Sequence, residues 1–199
     1  MTPVDIANKA LNNLGQTQTI GSFVENSTAA GLCNRYYNDI REELLKNFPW
    51  NFAVKVADLT VVTDETDDVY SYVYEYPEDC LRVLRVGVEG DGNEPTANPF
   101  DEHMNSENPP LKRIYCDLED ARAKYVFDVQ EVDQMPSEFR TALAWELSNR
   151  IAAGLASSAQ MMQMAEVRAQ KSLAYAKQLC AMERRLPQQT ANRYIDARR

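Results

Sequence analysis

The sequence predicts an α+β fold, in which a helical bundle formed by the N- and C-terminal helices carries an inserted antiparallel β domain. Apolar residues recur at helical spacing through residues 1–50, strand-like spacing begins directly afterwards, and helical spacing returns from residue 134. Because the strands form one block between two helical blocks, the helices of both chain ends are expected to pack together. We therefore expect a bundle of residues 1–50 and 134–186, a β domain of residues 51–133 with a long loop at 89–110, and a C-terminal tail of residues 187–199.

Two helices are expected in the first 50 residues. Thr2 offers a capping hydroxyl for the first, Pro3 suits its first position, and Gly15 is typical of its end. Ser27 is expected to cap the second, longer helix. The apolar stripe of that helix consists of Ala29, Leu32, Cys33, Tyr36, Tyr37, Ile40, Leu44 and Leu45. The other side of the helix, away from the buried stripe, is formed by Asn34, Arg35, Asn38, Arg41 and Glu42.

The spacing of apolar residues changes from the helical to the strand period at a short aromatic segment. Pro49 cannot continue the helix, and it disfavours helical geometry at Phe48. Trp50 and Phe52 are expected to anchor the first strand to the preceding helix. Pro49, Trp50 and Phe52 are called the fold joint below, and the role predicted for them is packing.

Five strands are expected in the middle of the chain, at residues 54–62, 69–76, 81–88, 111–116 and 123–129. Alternation in the second of these places four tyrosines on one face, either for packing within the sheet or as a surface for a partner. They are Tyr70, Tyr72, Tyr74 and Tyr76.

The last third of the chain is expected to be helical. Pro136 starts one helix, in which Phe139, Leu143 and Leu147 form the core stripe. A break is expected at residues 154–158, and a second helix is expected from about residue 159 to residue 185, before Pro187.

Composition limits the possible classes of protein. A chain of 199 residues with 44% hydrophobic residues can bury a core in one or two domains. No apolar run approaches the ~20 residues of a membrane span, and no signal-peptide pattern opens the chain, so a cytosol-like compartment and no membrane partner are expected. The four isolated cysteines are expected to be reduced and mostly buried. They are Cys33, Cys80, Cys116 and Cys180.

Charge is distributed unevenly along the chain. Residues 1–57 are neutral, residues 58–133 hold 6 basic and 20 acidic residues, and residues 134–199 hold 10 basic and 5 acidic residues. An acidic middle therefore separates a neutral start from a basic end.

No motif predicts catalysis, and no metal or cofactor site is predicted. The single histidine, His103, is expected to be solvated in the 89–110 loop. Phosphate-binding glycine motifs and a nucleophile elbow are absent from the sequence. Pairs of acidic residues in turns are expected to be solvated. An oxygen-ligand cation site at residues 64–68 is a weak alternative, because its spacing does not match an EF-hand loop.

Two stretches carry a family resemblance. The first is the order of short helix, Gly15, linker, long helix and the sequence Phe48-Pro49-Trp50-Asn51-Phe52-Ala53. The second opens an alanine-rich helix with Asp133-Gln134-Met135-Pro136-Ser137-Glu138-Phe139-Arg140. Together they resemble the head-to-tail adaptor proteins of tailed bacteriophages, in particular the tail tubular protein A type of short-tailed phages and prophages.

The resemblance implies a structural virion protein without catalysis or cofactor. It implies a ring, usually of twelve copies, that is assembled in the host cytoplasm, binds the portal protein and joins it to the tail tube or nozzle protein. DNA would pass through the ring without specific binding. Two alternatives remain: a peptidoglycan-cleaving tail enzyme that uses acids of the middle block, and an interaction module unrelated to phages.

The basic C-terminal residues are the candidate portal-binding site. A solvated terminus, a protein-docking arm and a nucleic-acid contact are all open interpretations, although the acidic protein as a whole would repel DNA. The acidic block of residues 58–133 is expected to face the DNA channel or the next tail component. The candidate portal-binding residues are Arg184, Arg185, Arg193, Tyr194, Ile195, Arg198 and Arg199.

Overall fold

The computed structural model describes residues 1–88, 95–106, 109–156 and 158–183. Within these residues the chain forms helices at both ends and antiparallel strands between them, which confirms the predicted α+β class. The helices are α1 (Pro3–Asn13), α2 (Thr28–Asn47), α3 (Ser137–Leu155) and α4 (Ala159–Glu183). The strands are β1 (Val54–Asp58), β2 (Tyr72–Glu75), β3 (Cys80–Gly87), β4 (Asp101–Met104), β5 (Lys112–Cys116) and β6 (Arg122–Phe127).

The starts of α1 and α2 follow the predicted capping residues. The hydroxyl of Thr2 accepts a hydrogen bond from the backbone N–H of Asp5, and the Asp5 carboxylate accepts one from the N–H of Thr2. Ser27 likewise accepts from the N–H of Ala30. Gly15, just after α1, has a φ of 73°, a conformation that glycine adopts without strain.

The helical region, defined here as residues 1–50 and 134–183, is organised around α3, which contacts α1, α2 and α4. Its predicted core stripe is confirmed, because Phe139, Leu143 and Leu147 are all buried. The hydroxyl of Ser148 donates to the carbonyl of Ala144, and it accepts from Nδ2 of Asn13, so that a buried polar contact joins α1 to α3. The predicted break is also confirmed, since α3 ends at Leu155 and α4 begins at Ala159.

The β region, defined as residues 51–133, contains two antiparallel sheets of three strands in the described residues, ordered β1-β6-β3 and β2-β5-β4. Two predictions about it are wrong. The strand expected at 54–62 ends at Asp58, because the backbone turns from β6 to β2 after Leu59, and the N–H of Val62 donates to the carbonyl of Val73. The loop expected at 89–110 contains β4, which pairs with β5, so His103 lies on a strand.

The four tyrosines of the second predicted strand do not share one environment. Tyr74 is 1% exposed and Tyr72 is half-buried, and both pack in a core between the two sheets with Ile114 and Tyr125. Tyr76, which follows β2, packs against the same core. Tyr70 precedes β2, and its hydroxyl donates to Oδ2 of Asp101 at 3.0 Å. Packing within the β region therefore accounts for Tyr72, Tyr74 and Tyr76.

Glycine is required at the end of β3 because another backbone segment crosses it closely. A Cβ atom at Gly87 would lie 1.6 Å from the carbonyl oxygen of Thr96. The crossing segment bonds β3, since the N–H of Thr96 donates to the carbonyl of Val88 and the N–H of Asn98 to that of Val86.

Candidate partner-binding sites

The fold joint is held rigidly where α2 ends. Phe48 has extended geometry, as Pro49 requires of it, and so ends the helix. Trp50 is 1% exposed, and its indole Nε1 donates to the carbonyl of Leu44 at 2.8 Å. This bond fixes the indole to the last turn of α2.

The fold joint also contacts both C-terminal helices. The ring of Phe139, in α3, packs edge-on against Trp50 and Phe52, with a centroid distance of 5.0 Å in each case. On the α4 side, the side-chain amide of Asn51 donates to the carbonyl of Cys180 at 2.9 Å. In the structure Trp50 and Phe52 thus pack against the start of α3.

A small cavity, called the joint groove below, opens where these elements meet. Its volume is about 310 Å³, and three elements line it: the fold joint, the start of α3 and the end of α4. Most of the lining is apolar, and Glu138 and Glu183 supply carboxylates. The lining residues are Trp50, Asn51, Phe52, Pro136, Glu138, Phe139, Ala176, Leu179, Cys180 and Glu183.

The predicted portal-binding residues lie outside the described residues. All of them follow Glu183, which is both the last described residue and part of the lining of the joint groove. Their predicted role stays a prediction. The described part of the site is thus the root of the tail, where α4 ends. The predicted residues are Arg184, Arg185, Arg193, Tyr194, Ile195, Arg198 and Arg199.

A larger and more polar cleft surrounds Arg41, which the sequence assigned to the side of α2 away from the core. This interpretation is wrong, because Arg41 is only 4% exposed. Its guanidinium donates to both carboxylate oxygens of Asp128 and, at 3.0 Å, to the carbonyl of Val129. The pair joins α2 to the residue after β6. A cleft of about 710 Å³ opens beside it and is also lined by Tyr37, Glu131 and Asp133.

The titration of groups in the Arg41 cleft follows from burial and pairing. Burial alone would raise the pKa of Asp128, but the hydrogen bonds from Arg41 and Gln130 and the charge of Arg41 outweigh it, so the pKa is lowered. Burial raises the pKa of Tyr37 to about 12, with the charge of Arg41 opposing the shift. Since the guanidinium is already paired, we interpret the ion pair as structural.

The acidic turn at residues 64–68 borders a third cavity, of about 410 Å³, together with His103 and Tyr115. Oε1 of Glu65 accepts hydrogen bonds from Arg113 and Asn105, and those from Arg113 lower the pKa of Glu65. The imidazole of His103 stacks on Tyr115 with centroids 3.7 Å apart. Among the described residues, no group of three or more His, Cys, Asp or Glu side chains could hold a metal ion.

The cysteines do not form a reactive site. All four are unpaired as predicted, and Cys33, Cys116 and Cys180 are buried, while Cys80 is half-buried. Burial raises the pKa of the Cys33 and Cys80 thiols to about 11, so neither is a thiolate at neutral pH.

No protein-family model matches the chain, and no curated protein matches it. Within residues 1–183, apart from the gaps stated above, no helix is both long and apolar enough to cross a membrane.

Proposed function

We propose that this protein is a structural virion protein, a head-to-tail adaptor of a tailed bacteriophage of the tail tubular protein A type. Twelve copies would form a ring that binds the portal protein, joins it to the tail tube or nozzle protein, and continues the DNA channel. Assembly would take place in the host cytoplasm, and the ring would remain in the virion.

One observation carries the proposal. The first stretch that resembles adaptor proteins ends with residues 48–53, and the second, residues 133–140, begins 80 residues further along the sequence. In the fold they pack against each other, through Trp50 and Phe52 on one side and Phe139 on the other. If the resemblance of the two short stretches were accidental, there would be no reason for them to be in contact in the fold. Their contact at the root of the basic tail supports a single functional unit.

The acidic residues that the structure describes in the β region give the enzyme alternative no support. A glycosidase needs one carboxylic acid with a raised pKa as proton donor. Glu65, which borders the acidic cavity, has a lowered pKa because Arg113 donates hydrogen bonds to it. A cell-wall turbidity assay with purified protein tests this alternative directly, and clearing of the suspension would favour it over the adaptor.

Mass measurement with and without a dodecameric portal ring tests the adaptor proposal. We expect a monomer or weak oligomer alone, and a complex that adds twelve copies when portal is present. An unchanged mass in the presence of several portals from short-tailed phages would contradict the proposal.

The tail is the proposed portal-docking arm. Deleting residues 188–199 is expected to abolish portal binding and leave the fold intact, since the described core is formed by residues that precede them in the chain. Circular dichroism and urea unfolding provide the control for folding. Portal binding at the level of the full chain would reject the docking role.

The acidic block of residues 58–133 is proposed to face the channel or the next tail component. Several of its carboxylates are exposed, for example those of Asp64, Asp68 and Glu78. A negative channel wall repels phosphate, so DNA slides past it. A structure of the assembled ring with these residues on its outer rim would contradict the channel version.

A further inference from the structure

We propose that the joint groove is the seat of Leu186, so that each subunit anchors the root of its own C-terminal tail beside the fold joint. This inference concerns the chain itself and does not depend on the adaptor function. The occupant is a side chain of the segment that follows Glu183.

The chemistry of the groove fits an aliphatic side chain. Its walls include the ring of Phe139 and the side chains of Ala176 and Leu179. The volume of about 310 Å³ lies at the small end of protein ligand pockets, which hold about 300–1,000 Å³. A short apolar segment therefore fits better than a folded partner surface.

The connection of the chain favours Leu186 over other apolar residues. Glu183 lines the groove, and Leu186 follows only three residues later, within about 10 Å of extended chain. Pro187 disfavours helical geometry at Leu186, which favours a turn of the chain back toward the groove.

Charge complements this docking. The carboxylates of Glu138 and Glu183 line the groove, while Arg184 and Arg185 are adjacent to Leu186 in the chain. A tether of three residues also gives a local concentration in the millimolar range, which favours the chain's own tail over that of a second copy.

Cys180 supplies a reporter that acts independently of portal binding. It lines the groove and is 7% exposed. In the full-length protein we would measure the rate of carboxamidomethylation of Cys180 by iodoacetamide, with each cysteine located by peptide mass mapping. Leu186→Asp is expected to raise the rate about tenfold or more, since burial of one leucine shifts an equilibrium by roughly that factor. Leu186→Met should keep the protection.

Met182→Asp is the matched control. It places the same charge near the same helix end, on a side chain that is 68% exposed and outside the groove lining, so the rate should not change. Urea unfolding monitors the fold of each variant. Equal rates for Leu186→Asp and the parent protein would overturn the proposal.

Two further outcomes would also overturn it. Protection that rises with protein concentration would assign the groove to the tail of a second copy. Loss of protection in Tyr194→Asp but not in Leu186→Asp would assign it to the distal tail. Loss of portal binding alone, with the labelling pattern intact, would contradict the adaptor function and leave this anchoring standing.

Discussion

The helical region and the β region differ in the side chains that they bury. Among the largest side chains fully buried in the described residues, Tyr74 and Ile114 alone belong to the β region. The core of the helical region is built instead from leucine, isoleucine and aromatic rings. In the β region, tyrosine hydroxyls and ion pairs supply many of the contacts, such as Tyr125 with Asp79 and Arg113 with Glu65. Apart from the buried side chains of Arg41 and Ser148, the helical region should therefore respond mainly to lost volume, and the β region to lost hydrogen bonds and to pH.

The largest effect is expected from Phe139→Ala in the helical core. Deleting a buried phenylalanine ring costs about 3–5 kcal/mol of unfolding free energy, because it removes apolar burial and leaves a cavity. Urea unfolding followed by tryptophan fluorescence measures it, since Trp50 and Trp145 both lie in the helical region. Val167→Ala, on a side chain that is 47% exposed, should stay within about 0.5 kcal/mol.

The same experiment tests whether the two regions unfold together. Phe127 packs against both cores, and the Arg41 to Asp128 pair also joins the regions. We therefore expect the near-ultraviolet signal of the tyrosines to follow the same transition as tryptophan fluorescence. Two separate transitions would show that the regions are independent folding units.

Asp128→Asn is expected to cost about 3 kcal/mol, because it leaves the buried charge of Arg41 with only the exposed carboxylate of Glu42, at 3.9 Å. The double variant Arg41→Met, Asp128→Leu should cost less than this single change, since it leaves no unpaired buried charge. Asp133→Asn, at an ion pair with an exposed carboxylate, is the control and should cost less than about 1 kcal/mol. If Asp128→Asn cost as little as Asp133→Asn, the assignment of Arg41 and Asp128 as a buried ion pair would be contradicted.

Tyr74→Phe should have a smaller effect, about 1–2 kcal/mol, since it removes a hydrogen bond and leaves the buried N–H of Ala121 without that acceptor. The hydroxyl of Tyr74 lies 2.6 Å from the carbonyl of Glu119 and accepts from the N–H of Ala121. Denaturant unfolding measures the change. Tyr175→Phe, at a ring that is 58% exposed, should leave the free energy of unfolding unchanged. Equal effects of the two variants would contradict a stabilising hydrogen bond from the Tyr74 hydroxyl.

The smallest predicted effect depends on pH. Because the pKa of Glu65 is lowered in the folded protein, its pairing with Arg113 stabilises the fold above the unfolded pKa, about 4.3. This stability is lost as the pH falls through the folded pKa. The stability difference between the wild type and Glu65→Gln should thus be present at pH 7 and shrink below about pH 4. The exposed Glu78→Gln should show no such change, and a pH-independent difference for Glu65→Gln would contradict the assignment.

The parts of the fold with strong local signals could be predicted from the sequence. The capping side chains of Thr2 and Ser27 and the stop at Pro49 set the ends of α1 and α2 through bonds within a few residues. The stripe of Phe139, Leu143 and Leu147 identified the face of α3 that is buried. Each of these signals depends on spacing along the chain, which the sequence displays directly.

The missed features depend on pairing across the chain. The strand β4 is mostly exposed at the edge of its sheet, so its sequence Asp101-Glu102-His103-Met104 carries no apolar alternation. Arg41 was assigned to the outer side of α2 because nothing nearby predicts Asp128, 87 residues later. In the candidate site, the packing of the fold joint was predictable from its aromatic residues. The groove was not, since its walls come from three distant segments.

The helical region joins the first and last parts of the chain, and this has a consequence for synthesis on the ribosome. The apolar stripes of α1 and α2 are complete once Asn47 is made, but α3, which covers them, begins only at Ser137. At typical elongation rates this interval lasts on the order of ten seconds. During that time the nascent chain exposes apolar helices that invite aggregation or chaperone binding. The β region, whose strands are all made in between, can pair its sheets before the helices find their partners.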